Sequence, residues 1–320
     1  MEEAKEAEPA LRKPLYAEPP LDGGLSWMFL GPEGLRAGWA ILVFVSLVAL
    51  LIGLSESVIT RVMGLRPEGA LHPGRAMLGE GMLLCVSTVV TWLMATMEGK
   101  PLLSYGFQGR ARLVRLVSGC VCGFAALSTL VLALWKLGYV NIAGLALSGG
   151  AAWKHAALWG FFFLLTGLFE ESLFRGYLQF TLTRGIGFWW GALLVATAFA
   201  LTHGSNPGES PIGLESVLGA SLVFSLSLWY TGSLWWAVGF HAAWDWGQSF
   251  FFGTADSGVV AQGHLLREHP MGAPLWSGGT TGPEGSVLVF PLLAAMAVLM
   301  VVWWGRRGER PFAGAGWRGK

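Results

Sequence analysis

Charge is what this sequence has least of. Asp, Glu, Lys and Arg make up 13% of its 320 residues, where a soluble domain carries roughly 25%. So few charges cannot cover a water-exposed surface of this size, which excludes a soluble globular enzyme. With 53% hydrophobic residues and a mean hydropathy of +0.54, a disordered chain is excluded as well. An excess of one sign is also missing: 21 basic against 20 acidic residues leave a net charge of +1, so no nucleic acid partner is expected. Three cysteines are too few for a disulfide scaffold, and Cys85, Cys120 and Cys122 all fall in apolar runs, where core packing is their expected role. The first 34 residues lack the basic and apolar regions of a secretion signal, so no cleavable signal is expected.

What the sequence does hold is a series of apolar stretches of about 20 residues, each long enough to cross a bilayer. They lie near 36–57, 77–97, 112–137, 154–180, 187–204, 212–231, 233–252 and 286–304. The expected fold is therefore an all-α polytopic membrane protein of about eight transmembrane helices, with membrane lipid as its surroundings. With the N-terminus inside, 15 basic residues fall on inner segments and 6 on outer ones, and this bias places both termini in the cytoplasm. Arg110, Arg112 and Arg115 belong to that topology signal. Trp189-Trp190, Trp235-Trp236 and Trp303-Trp304 read as interfacial anchors.

Against this apolar background, three late helices carry ionisable groups. The fourth holds Glu170, Glu171 and Arg175, the fifth His203, and the seventh His241 and Asp245. An ionisable side chain at bilayer depth costs roughly 2.5–3.5 kcal/mol. Unpaired, the four formally charged ones would cost on the order of 10 kcal/mol, so pairing, a wet cavity or both are required. Glu171 and Arg175 stand at i and i+4 and can form a structural ion pair. Glu170 is turned about 100° away and keeps a carboxylate free for chemistry. His241 and Asp245 are again i and i+4, on one face. Counted from their turns, Glu170 and His203 lie at matching depths of about 25 Å, whereas His241 lies only about 14 Å above its own. The two hairpins would then need an offset of about 10 Å, with 175–185 protruding into the cytoplasm.

At these residues the sequence resembles the CPBP intramembrane proteases, also called the Abi or CAAX-protease-like family. The family pattern is EExxxR, FxxxH and HxxxN or HxxxD on three separate helices. Here it reads Glu170-Glu171-Ser172-Leu173-Phe174-Arg175, Phe199-Ala200-Leu201-Thr202-His203 and His241-Ala242-Ala243-Trp244-Asp245. The resemblance covers roughly 150–250. It implies an endopeptidase related to the type II CAAX prenyl endopeptidases, acting on a membrane-associated peptide or protein. It also implies that Glu170 and His203 activate water while His241 and Asp245 stabilise the oxyanion. Asp245 stands where the prenyl proteases have Asn, and an ionised Asp cannot donate to an oxyanion. The same four residues, Glu170, His203, His241 and Asp245, are also candidate Zn²⁺ ligands, the basis of the metalloprotease label; no cofactor is otherwise implied. HExxH, GxSxG and paired intramembrane aspartates are absent.

The chain divides into a flexible polar tail (1–35), three N-terminal helices (36–137), the protease-like core (150–252), a long loop (253–285), a last helix (286–305) and a basic tail (306–320). The loop is expected outside, packed over the mouth of the bundle, with His264 and His269 as surface residues. Glu80, Glu215, Glu56, His72 and His155 read as solvated or capping groups. A membrane endopeptidase cutting at the cytoplasmic side is the leading expectation, and the Gly-, Ala- and Arg-rich usage suits a bacterial inner membrane. The alternatives are a proton-coupled transporter, for which no inverted repeat is evident, and a non-catalytic binding or immunity protein.

Overall fold

The computed structural model describes residues 25–31, 34–63, 72–109, 111–306 and 312. Most of both expected tails, and Arg110, lie outside the described residues. Each of the eight predicted spans falls on a helix: α1 (Ala37–Met63), α2 (Pro73–Met97), α3 (Arg112–Lys136), α4 (Gly149–Ile186), α5 (Phe188–His203), α6 (Pro211–Thr231), α7 (Trp235–Trp246) and α8 (Val289–Gly305). Among the described residues α1, α2, α3, α4 and α6 are long and apolar enough to cross a membrane, while α5 and α8 are apolar but shorter. The polar run that begins at His203 stops α5 early, and α7 is continued by six π-helical residues, Gly247–Phe252.

Local chemistry sets the ends. Pro73 and Pro211 occupy first-turn positions, where a missing N–H costs nothing. Ser210 caps α6, its Oγ accepting from Gly213 N at 3.1 Å. Gly232, in the left-handed region at φ 61°, closes α6 and allows the tight turn into α7.

Small residues then bring α7 against its neighbours. A Cβ built on Gly119 or Gly123 of α3 would lie 2.2 Å from a carbonyl oxygen of α7, and one on Gly239 of α7 would lie 2.1 Å from Leu116 O. Such close backbone approach is how helices associate where lipid offers no hydrophobic drive. On the other side, Gly167 of α4 brings that helix to within 3.0 Å of Val238 O by the same measure. Glu170 and Glu171 follow within about one turn.

Two expectations are corrected. The stretch 175–185 does not protrude: Arg175, Tyr177 and Gln179 are fully buried. Its polar groups are met inside, where Tyr177 OH and Tyr105 OH donate to Glu98 at 2.7 and 3.0 Å and Arg184 and Lys100 pair with the same carboxylate at 3.2 Å. The apolar-run cysteines are not core residues either, since Cys85 and Cys122 are exposed. Trp189, Trp190 and Trp303 are exposed as anchors should be, whereas Trp236 is buried edge-on to Trp304.

The segment read as a long loop contains a strand. β1 (Val140–Leu145) pairs antiparallel with β2 (Leu266–Pro270), Val140 opposite Pro270 and Leu145 opposite Leu266. Together with the short helix Pro274–Ser277, this covers one end of the bundle.

Candidate active site

The EExxxR segment spans a change of helical period. α4 is α-helical through Glu171, π-helical over Ser172–Leu178 with a non-helical Gly176 (φ −79°, ψ −112°), and α-helical again from Gln179. Single π turns inside α-helices recur at functional sites. Arg175 sits in this wider turn. Its Nη1 donates to Glu171 Oε1 at 3.0 Å, both side chains being wholly buried. Its guanidinium lies over the Phe199 ring at 4.2 Å and the Phe224 ring at 5.4 Å. The phenylalanine of FxxxH thus cradles the arginine of EExxxR, a desolvated cation–π contact.

Glu171 has a second partner. His241 Nδ1 lies 3.0 Å from the same Oε1, so one carboxylate holds both Arg175 and His241. The other imidazole nitrogen, Nε2, is 3.4 Å from Glu170 Oε2 and 3.4 Å from Asp245 Oδ2. An ionised Glu171 only accepts hydrogen bonds, which puts the proton on Nδ1 and fixes the ring's orientation. Glu170 Oε2 itself is buried and accepts no hydrogen bond.

His203 comes from the end of α5. Its Nδ1 lies 2.9 Å from Phe199 O, and it shares no hydrogen bond or ion pair with Glu170. Instead the two face one cavity of about 170 Å³, which His241 and Asp245 also line. At roughly 30 Å³ per water, that is space for about six waters, or for a water beside one peptide group.

The rest of the lining comes from the loop. Asp256, Ser257 and Glu284 reach the cavity, held there by Ser257 Oγ donating to Glu284 Oε1 at 2.8 Å, Ser249 Oγ donating to Asp256 Oδ2 at 3.1 Å and Asn206 Nδ2 donating to Ser257 O at 2.9 Å. Burial pushes the Asp256 carboxyl well above its ordinary value, and the neighbouring Asp245 and Glu284 carboxylates push the same way. The loop therefore does cover the mouth, and it adds acidic groups that a reading of α4, α5 and α7 omits.

Glu80 corrects another expectation. It is not a solvated end group: Oε2 is buried without a hydrogen-bond partner, and the carboxylate lies within electrostatic reach of Glu170, His241 and Asp245. An acidic residue inside an apolar span was the signal available for it.

For zinc, the donor geometry matters. The Glu170 and Asp245 oxygens each lie 3.4 Å from His241 Nε2, and the Nδ1 of that ring is taken by Glu171. Among the described residues no group of three or more His, Cys, Asp or Glu is arranged to hold a metal ion.

No curated protein and no solved structure matches the chain. Residues 152–247, just under a third of its length, match the family model described as Rce1-like, type II CAAX prenyl endopeptidase Rce1-like. That segment carries Glu170, Glu171, Arg175, His203, His241 and Asp245. The Rce1-like match over 152–247 is consistent with a CPBP family intramembrane protease.

Proposed function

We propose that this protein is an intramembrane endopeptidase in which Glu170 and His203 activate a water and His241 stabilises the oxyanion. The observation that carries the reading is the convergence of four polar side chains from three apolar helices on one small cavity, with the central imidazole fixed from behind by Glu171. In a peptide hydrolysis there, Glu170 takes a proton from the water as its oxygen bonds to the scissile carbonyl carbon. The carbonyl oxygen gains charge, and His241, protonated on both nitrogens, donates from Nε2. Asp245, close to that nitrogen, serves as counter-charge and not as donor, which accommodates Asp where the relatives have Asn. As the C–N bond breaks, Glu170 returns the proton to the leaving amine. The substrate is a membrane-associated peptide or protein.

No step of this scheme is routed through zinc; Glu170 supplies the base and His241 the oxyanion donor. The test is cleavage of a peptide library by the purified protein in detergent, alongside Glu170→Gln and His203→Ala. Loss of cleavage in both supports the assignment. Cleavage that survives both substitutions would falsify it, and a proton-coupled transporter would then be the reading to pursue.

A further inference from the structure

A second concavity, of about 1080 Å³, lies at the loop-covered end of the bundle. Arg267, Glu268, His269 and Pro270, four consecutive residues of β2, all line it. Side chains alternate between the two faces of a strand, so a concavity beneath one face would meet every second residue. Lining by consecutive residues means that it follows the strand's edge. Among the described residues β2 pairs only with β1. Leu266 O lies close against Gly253, but from Arg267 to Pro270 the other edge has backbone groups without a ladder partner among the described residues, the arrangement to which extended peptides add as a further strand.

The groove also has a charge preference. Arg267 is exposed and makes no ion pair among the described residues, and His264 and His269 line the same space. His264 Nδ1 is buried without a hydrogen-bond partner. The one acidic lining residue, Glu268, has its carboxyl pushed up to about 7 by burial, which weakens its opposition. The wall is shared with the candidate active site. Ala255 and Gly258 face the groove while Asp256 and Ser257 between them face the cavity, and Gly285 and Glu284 divide in the same way. A chain lying on β2 is thus separated from Glu170's cavity by a single turn of backbone.

The geometry points to this groove as a recognition site for an extended acidic peptide segment of the substrate, added as a strand to the free edge of β2 with its carboxylates toward Arg267. Calling the peptide a substrate rests on the peptidase reading; its binding does not.

Fluorescence anisotropy on the full-length Glu170→Gln protein in detergent tests this. The probes are three labelled seven-residue peptides: one alternating Val and Glu, the same peptide N-methylated at alternate amides, and one alternating Val and Lys. The Val–Glu peptide is expected to bind about tenfold more tightly than either other form, since one loses the ladder and the other the charge match. Adding Arg267→Glu is expected to reverse the Glu-over-Lys preference. Equal binding of all three peptides, or an order unchanged by Arg267→Glu, overturns the site. The N-methylated comparison needs no change at Arg267 and stands even if that variant folds poorly. Selective binding with no turnover of any peptide by the unsubstituted protein supports the groove and sinks the peptidase reading. Turnover without selective binding sinks the groove alone.

Discussion

His241 Nδ1 and Arg175 Nη1 both lie 3.0 Å from a single oxygen, Glu171 Oε1. The second glutamate of the pair is therefore the hinge of the site: it neutralises a buried guanidinium and sets which nitrogen of His241 faces Glu170. Glu170 and Glu171 are adjacent in sequence and differ in what they touch, and their substitutions should differ accordingly.

Glu171→Gln is expected to destabilise the protein by about 3–5 kcal/mol, because it leaves Arg175 charged and unpaired in a fully buried position. Glu170→Gln removes no hydrogen bond and leaves Asp245 3.4 Å from His241 Nε2 as its counter-charge, so it should leave the melting temperature nearly unchanged while abolishing cleavage. Thermal unfolding in detergent, read beside a cleavage assay, separates the two. Equal melting temperatures for both variants would contradict the division of roles.

Glu170 and His203 are expected to act as one unit on the water. Each single substitution should lower kcat by roughly 10²–10⁴-fold, and the double variant should be little worse than the poorer single one. Multiplicative losses would mean independent roles.

Phe199→Leu removes the ring beneath Arg175 and should cost on the order of 2 kcal/mol. Phe224→Leu, where the guanidinium is 5.4 Å from the ring centroid against 4.2 Å for Phe199, should cost less. Urea midpoints of the two variants give the comparison, and a reversed order would refute the cradle.

Two acids outside the spans should give pH effects of opposite sign. Burial raises the Glu268 carboxyl from 4.5 to about 7. The folded state then binds a proton more readily than the unfolded one, so this contribution is complete below about 4.5 and is lost as pH rises through about 7. Glu98 is also opposed by burial, yet Lys100, Arg184 and the Tyr177 hydrogen bond outweigh it and hold its carboxyl below the ordinary value. Its contribution is present above the ordinary carboxylate range and is lost as pH falls through the lowered value. Melting curves of Glu268→Gln should lack the decline between about 4.5 and 7, and those of Glu98→Gln should lack the acid-side loss.

A strong zinc chelator is expected to leave cleavage intact, because the proposed scheme takes its base from Glu170 and its oxyanion donor from His241. Loss of activity on chelation, restored by added zinc, would return the four residues to the role of ligands.

Much of this was legible in the chain itself. Runs of about 20 apolar residues give helices through local chemistry alone, so all eight stretches fall on helices. Spacing within one helix likewise brought Glu171 to Arg175 and His241 to Asp245. It could not show Glu171 reaching His241, 70 residues away on another helix, because one helix's period carries no information about its neighbour's rotation. β1 and β2 were missed for the same reason, their partners being more than 120 residues apart. Glu80 and Asp256 escaped because an isolated carboxylate in an apolar or loop context has no spacing to read.

The π turn at Ser172–Leu178 sets a phase. α4 carries two polar stations, Glu170 to Arg175 beneath the cavity and Tyr177 to Arg184 around Glu98. One extra residue in the turn rotates everything after it by about 100° relative to an unbroken α-helix. Deleting a single residue between 172 and 178 would therefore keep the helix and its hydropathy but swing the second station off Glu98, or the first off His241. The two ends of the helix are geared together, and the gear ratio is one residue.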